Sequence, residues 1–196
     1  MQKRESRVMR KTSETNVSLS LLLDGSGRAE VECGIPFFEH MLTLFCSHGC
    51  FDIVLKAEGD LEVDAHHLVE DIGLVLGQAF DDALGDRAGI KRYGSIILPM
   101  DEALVLVAAD FSGRPYLVFD LPLAAARLGS FETELVEDFL QAFVSRARCT
   151  LHVKLLNGRN THHKIEALFK ALGRALDEAS RGDERVRGIP STKGIL

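Results

Sequence analysis

The chain has 196 residues, enough for one compact domain or two small halves sharing a core. Its net charge of −6 argues against a general nucleic-acid binder, which needs a basic face, yet a few local cations could still hold a small anionic substrate. No stretch approaches the roughly 20 apolar residues of a membrane span, and the charged start MQKRESRVMRKTSE lacks an apolar signal core, so no membrane contact and a cytoplasmic location are expected. The four cysteines (Cys33, Cys46, Cys50 and Cys149) form no C-x-x-C pair and read as small buried hydrophobes in a reducing compartment.

In chain order, the first clear element is Val17, Leu19, Leu21 and Leu23 alternating with Ser18, Ser20 and Leu22, the period of a half-buried strand. Asp24-Gly25-Ser26-Gly27-Arg28 follows, and its turn chemistry predicts a hairpin into a second strand, Ala29 to Glu32. Pro36 marks a helix start, continued by Phe37, Met41, Leu44 and Phe45 at helical spacing. A strand over 51–58, a Gly-containing loop and an amphipathic helix over 66–84 complete this unit. After a connector near 85–99 the same order returns. Ala103 to Val107 leads into Asp110-Phe111-Ser112-Gly113-Arg114, then a strand over 116–120, a helix over 132–148, a strand over 150–156 and a helix over 162–179.

The pattern ββαβα thus occurs twice, leaving 1–13 and 181–196 outside the repeat. It predicts an α+β fold with internally duplicated halves, each a mixed sheet with helices packed on one side, of the ferredoxin-like, split βαβ type. Residues 1–92 and 93–196 are the expected halves of one compact unit.

Four of the seven histidines fall in two pairs, each followed by Glu at the same offset: His66-His67-Leu68-Val69-Glu70 and His162-His163-Lys164-Ile165-Glu166. Both pairs open corresponding helices. Residues three and four apart share a helix face, so each Glu is within reach of its histidines. Adjacent imidazoles diverge by about 100°, so one pair can serve two different ions. Imidazole with carboxylate suits Mn, Fe, Zn or Ni. His40 aligns with Asp138 in the repeat, and both can bind a divalent cation, which suggests two pseudo-equivalent sites mixing groups from both halves. His152, alternating with apolar residues, reads as structural, and His48, before Gly49, as a cation at a helix C-terminus. These residues alone leave a metal-dependent hydrolase and a metal-organised assembly protein open beside a lyase.

The segments GIPFFEHML, SHGCFDI, DAHHLVEDIG, MDEALV, DFSGRPY, NGRNTHHKIEALFKALGRAL and IPSTKG resemble the imidazoleglycerol-phosphate dehydratase family, in order and over nearly the whole chain. The resemblance implies two Mn2+ ions per site, sites at subunit contacts and a cage of 24 subunits. One ion would take His66, His162 and Glu166, the other His40, His67, Glu70 and His163. The phosphate-binding positions fall on Arg92, Arg114, Ser191 and Lys193. Glu14 is the implied glutamate beside the substrate and Asp101 the acidic group near the reacting carbons, with Glu166 counted as a third catalytic carboxylate. Two positions depart from the family pattern. Asp138 stands where a histidine ligand is common, and Leu44 where a glutamine is often found. A carboxylate can replace imidazole on Mn2+, so Asp138 is kept among the expected ligands.

The implied reaction removes water from imidazole glycerol phosphate and gives imidazole acetol phosphate. The proton lost comes from a barely acidic carbon. An electron-rich substrate ring can first expel the neighbouring hydroxyl, and the resulting conjugation acidifies the C–H that a base such as Glu14 then deprotonates.

Overall fold

The computed structural model describes residues 3–196. Its first half comprises β1 (Glu5–Lys11), β2 (Thr15–Leu22), β3 (Ala29–Glu32), α1 (Pro36–Gly49), β4 (Asp52–Gly59) and α2 (His66–Leu84). The second comprises β5 (Tyr93–Met100), β6 (Ala103–Asp110) and β7 (Tyr116–Asp120), then a two-stranded ribbon of β8 (Arg127–Leu128) and β9 (Phe131–Glu132), then α3 (Leu135–Ala147), β10 (Thr150–Asn157) and α4 (Thr161–Ser180). The two four-stranded sheets have the orders β1-β2-β4-β3 and β5-β6-β10-β7.

This topology confirms a mixed α+β fold and corrects three expectations. The turn at 24–28 closes no hairpin: β4 lies between β2 and β3, antiparallel to the first and parallel to the second, and β10 separates β6 from β7 in the same way. The turn therefore bridges two strand spacings instead of one. Second, each half has an additional leading strand. β1 pairs with β2 from Glu5↔Leu22 to Lys11↔Asn16, and β5 pairs with β6. Third, α3 begins at Leu135, not 132, because Phe131 and Glu132 pair with Leu128 and Arg127.

Alternation explains the layering. Val17, Leu19 and Leu21 of β2 and Ile53, Leu55 and Ala57 of β4 are buried on one sheet face, as are Ala103, Val105, Val107 and Ala109 of β6. α2 covers β1 and β2 and α1 covers β3, while α4 covers β5 and β6 and α3 covers β7. The helices then pair across the halves, α2 on α3 and α1 on α4. Phe80 meets Phe143 edge-on at 5.5 Å, and Phe38 meets Phe139 at 5.2 Å, so aromatic rings of both halves share one core. Glycine sets the closeness of both crossings. A Cβ at Gly77 would lie 2.3 Å from Phe143 O, and one at Gly173 would lie 2.4 Å from Phe45 O.

The connector between halves is fastened by Arg87, whose side chain is buried. It donates to Ala147 O at 2.9 Å and Arg148 O at 3.1 Å, at the end of α3, and pairs with Asp81 at 2.5 Å. A cation there complements the helix C-terminus, and Asp81 balances its charge. Among the described residues no helix is long and apolar enough to cross a membrane.

Candidate metal and anion sites

Both histidine pairs occupy first helical turns held by short polar side chains. Asp64 accepts the backbone N–H of His66 at 2.8 Å, and Asn160 accepts those of His162 at 2.9 Å and His163 at 3.3 Å. The rings within each pair stand nearly perpendicular, at 80° for His66 and His67 and 87° for His162 and His163. Each pair thus points one imidazole in each of two directions, as helical geometry requires.

On α2, His66 Nδ1 lies 3.5 Å from Asp138 of α3 and its Nε2 lies 4.0 Å from Glu70. These three residues line one small cavity of about 240 Å³ in the α2–α3 groove. His67 Nδ1–H donates to Asp60 at 3.0 Å, with Glu14 at 3.8 Å. The hydrogen bond to Asp60, aided by the charge of Glu14, raises the His67 pKa. On α4, His162 Nε2 is 3.1 Å from Glu166, and Lys170 holds the other Glu166 oxygen at 2.6 Å. Burial pushes the Glu166 carboxyl up, but Lys170 and His162 outweigh it and the net shift is downward. His163 Nδ1–H donates to Glu102 at 2.7 Å, and Asp101 lies 3.8 Å from its Nε2. That hydrogen bond raises His163 and, with the backbone N–H of Asn160, holds Glu102 down at about 2.

The structure therefore brings His66, Glu70 and Asp138 to one groove and sets Glu14 beside His67 and Asp101 beside His163. It does not gather either implied ligand set within one chain. Among the described residues, the group of three with ligand atoms all within 4.8 Å of one another is Glu14, Asp60 and His67. His40 is exposed on α1. Three side chains that touch these histidines or their carboxylates escaped the sequence reading: Asp60, Glu102 and Lys170. Glu102 carried a usable signal, since it shares with Asp101 the turn equivalent to the one that carries Glu14.

The expected anion-binding residues do converge. Arg92, Arg114, Ser191 and Lys193, with Tyr93, Pro190 and Thr192, line a cavity of about 710 Å³. Arg92 is fixed by Asp110 at 2.7 Å and by Pro190 O at 2.8 Å, and its guanidinium lies 4.7 Å from the Tyr93 ring centre. The first half repeats part of this scheme. Arg4 pairs with Asp24, as Arg92 pairs with Asp110, and Arg28 stands where Arg114 does. The difference lies in the first residue of the strand beneath the turn. Asp52 of β4 accepts from Arg28 Nη2 at 3.0 Å and from the backbone N–H groups of Ser26 and Arg28. Thr150 of β10 offers only a hydroxyl, 3.3 Å from Arg114 O. Asp52 neutralises Arg28, while the side chain of Arg114 bonds only Ser112 O, at 3.4 Å, among the described residues.

The remaining residues singled out in the sequence fall into place, two of them against expectation. His48 stands in the last turn of α1 but does not cap it: the cap is Cys50, in left-handed conformation, and burial, then Lys170 and Arg174, lower the His48 pKa. His152 points to the exposed face of its sheet. Cys33, Cys46 and Cys149 are buried, and burial pushes each thiol up to about 12. Cys50 is exposed, so the expectation of four buried cysteines fails there. Leu44 packs against the core.

A family model described as imidazoleglycerol-phosphate dehydratase matches residues 33–176. The chain is 60% identical over 193 residues to the imidazoleglycerol-phosphate dehydratase of Acetivibrio thermocellus, covering 98% of this chain and 99% of the relative. It is 61% identical to the protein of that name from Thermoanaerobacter pseudethanolicus, covering 98% and 100%. Two solved structures are similar. The Staphylococcus aureus enzyme has a TM-score of 0.81 at 42% identity, covering 91% of this chain and 99% of its own. The Pyrococcus furiosus enzyme, solved in complex with (S)-C348, has a TM-score of 0.84 at 39% identity, covering 96% and 100%.

Proposed function

The chain belongs to the imidazoleglycerol-phosphate dehydratase family, and from that premise we propose how its duplicated histidine helices and its anion cavity divide the work. The enzyme is a hydro-lyase of histidine biosynthesis, removing water from imidazole glycerol phosphate to give imidazole acetol phosphate. The observation that carries the reading of the site is the recurrence of His-His-x-x-Glu at two equivalent helix starts, each with carboxylates at its imidazoles.

The donors suit Mn2+. They are imidazoles and carboxylates, and three of the four thiols are buried and protonated. His66, His162 and Glu166, with Asp138 in place of a histidine, would hold one ion, and His40, His67, Glu70 and His163 the other. Two bound ions would supply Lewis acidity that favours the imidazolate form of the substrate ring. Arg92, Arg114, Ser191 and Lys193 bind the phosphate, the two arginines through charge-assisted hydrogen bonds. Glu14, at the site rim beside His67, accepts the proton leaving carbon. The departing hydroxyl takes up a proton to become water, and the enol left behind tautomerises to the ketone. Asp101, beside His163, lies near the reacting carbons, and Glu166 acts with them. Neither ligand set closes within one chain, which supports sites built between copies; the assembly we propose for them is a 24-subunit cage. The unpaired cysteines favour a cytoplasmic location.

The direct test incubates purified protein with Mn2+ and imidazole glycerol phosphate. The acetol phosphate should form, and its formation should cease after chelation. Release of inorganic phosphate in place of the acetol would overturn this reading in favour of a hydrolase.

A further inference from the structure

Two carboxylates outside the implied ligand sets hold one nitrogen each of His67 and His163. Asp60 accepts from His67 Nδ1 at 3.0 Å, and Glu102 accepts from His163 Nδ1 at 2.7 Å. A carboxylate only accepts, so the proton of each neutral ring sits on Nδ1 and the lone pair is left on Nε2. The neighbouring histidines differ. His66 Nδ1 faces Asp138 at the longer distance of 3.5 Å, and His162 meets its carboxylate, Glu166, through Nε2 at 3.1 Å.

The two carboxylates do not come from equivalent positions. Asp60 follows β4, whereas the residue following β10 is Gly158, which has no side chain. Glu102 lies in the β5–β6 turn, whereas the β1–β2 turn offers Glu14, whose carboxylate stops 3.8 Å short of His67 Nδ1. The same contact on the same ring nitrogen is thus made twice by different parts of the repeat. A contact inherited passively from the duplication would arise from matching positions. We propose that Asp60 and Glu102 are positioning residues that lock His67 and His163 with Nε2 presented to a divalent cation.

This rests on the reading of both histidines as ligands, in which they serve the same ion. Second-sphere carboxylates of this kind fix ring orientation and tautomer, and their loss typically weakens metal binding about 10- to 100-fold. Glu102→Gln tests the lock without changing shape. One Glu102 oxygen accepts the backbone N–H of Asn160 at 2.7 Å and that of Arg159 at 3.3 Å. In the glutamine that atom must remain the carbonyl oxygen. The amide nitrogen then faces His163 Nδ1, which must accept, and the ring proton moves to Nε2.

Metal-free protein would be titrated with Mn2+ by calorimetry for the wild type, Glu102→Gln and Asp60→Ala. The expected result is two ions per chain in the wild type. In each variant the affinity for one ion falls about 10- to 100-fold, the other is unchanged, and metal-free Glu102→Gln melts where the wild type does. Wild-type affinity for both ions in Glu102→Gln and Asp60→Ala would overturn the lock while leaving the ligand reading intact. A wild type that takes up no Mn2+ would instead remove the ligand reading itself, and the lock with it.

Discussion

Thr150→Asp should convert the proposed anion site of the second half into the silent arrangement of the first. Asp52, the first residue of β4, holds Arg28 through Nη2 at 3.0 Å and Nε at 3.3 Å. Thr150, the first residue of β10, leaves the Arg114 guanidinium free of any carboxylate among the described residues, on the wall of the 710 Å³ cavity. An aspartate at 150 would draw Arg114 into the pairing seen for Arg28 and add a negative charge beside the bound phosphate. A hydrogen bond to a charged group contributes about 1.5–3 kcal/mol, and each 1.4 kcal/mol is about tenfold in affinity, so KM should rise roughly 10- to 150-fold. Phosphate is held equally in the ground and transition states, so kcat should change little. Steady-state kinetics with imidazole glycerol phosphate measures both, and Thr150→Asn controls for size without charge. An unchanged KM in Thr150→Asp, or an equal rise in Thr150→Asn, would refute the idea that Arg114 owes its role to its lack of a carboxylate partner.

Lys193→Ala should also raise KM more than it lowers kcat, because the residue lines the same cavity; the same kinetics would show the opposite pattern if the tail acted in the chemical step. Glu14→Gln should bind substrate but lose most of its turnover, which single-turnover product formation would reveal. Gly77→Ala gains about 1 kcal/mol of helix propensity, yet its methyl would meet Phe143 O at 2.3 Å and Ala147 N at 2.9 Å. Overpacking costs about 1–3 kcal/mol or more, so the melting temperature should fall at fixed protein concentration. Asp52 gives an acid-dependent effect. Burial pushes its carboxyl up, but the N–H groups of Arg28 and Ser26 and the Arg28 side chain outweigh this and hold it well below the usual carboxylate range. Its stabilisation is therefore complete above the unfolded value of about 3.9 and fades as pH drops through the lower folded value. Asp52→Asn should lower the urea midpoint at pH 7, with the gap to wild type narrowing below about pH 4.

What could be read in the sequence was what periodicity encodes. The helix over 66–84 has the expected bounds because Leu68, Ile72, Val75, Leu76 and Phe80 mark one buried face. β1 was invisible because its half-buried positions include Ser6 and Arg10 beside Val8, so no apolar alternation marks it; the free edge of β2 makes it a strand. The place of β4 between β2 and β3 is likewise absent from the turn residues, since Asp24-Gly25-Ser26-Gly27 suits a tight hairpin as well as a wider bridge. The histidine pairs stood out because their spacing is repeated. Asp60 did not, because its contact arises where a loop folds back onto a helix start and has no fixed sequence offset, and Glu102 was marked only by sharing a turn with Asp101.

The scattering of each proposed ligand set over two helix pairs has a genetic consequence. His66 sits with α3 and His162 beside Phe37 of α1, so a lesion in one leaves the other surface whole. If cavities form where these surfaces of different copies meet, two inactive variants, His66→Ala and His162→Ala, should rescue each other when unfolded together and reassembled. Some junctions in the mixed particle would join two undamaged surfaces, and activity would return that neither parent has alone.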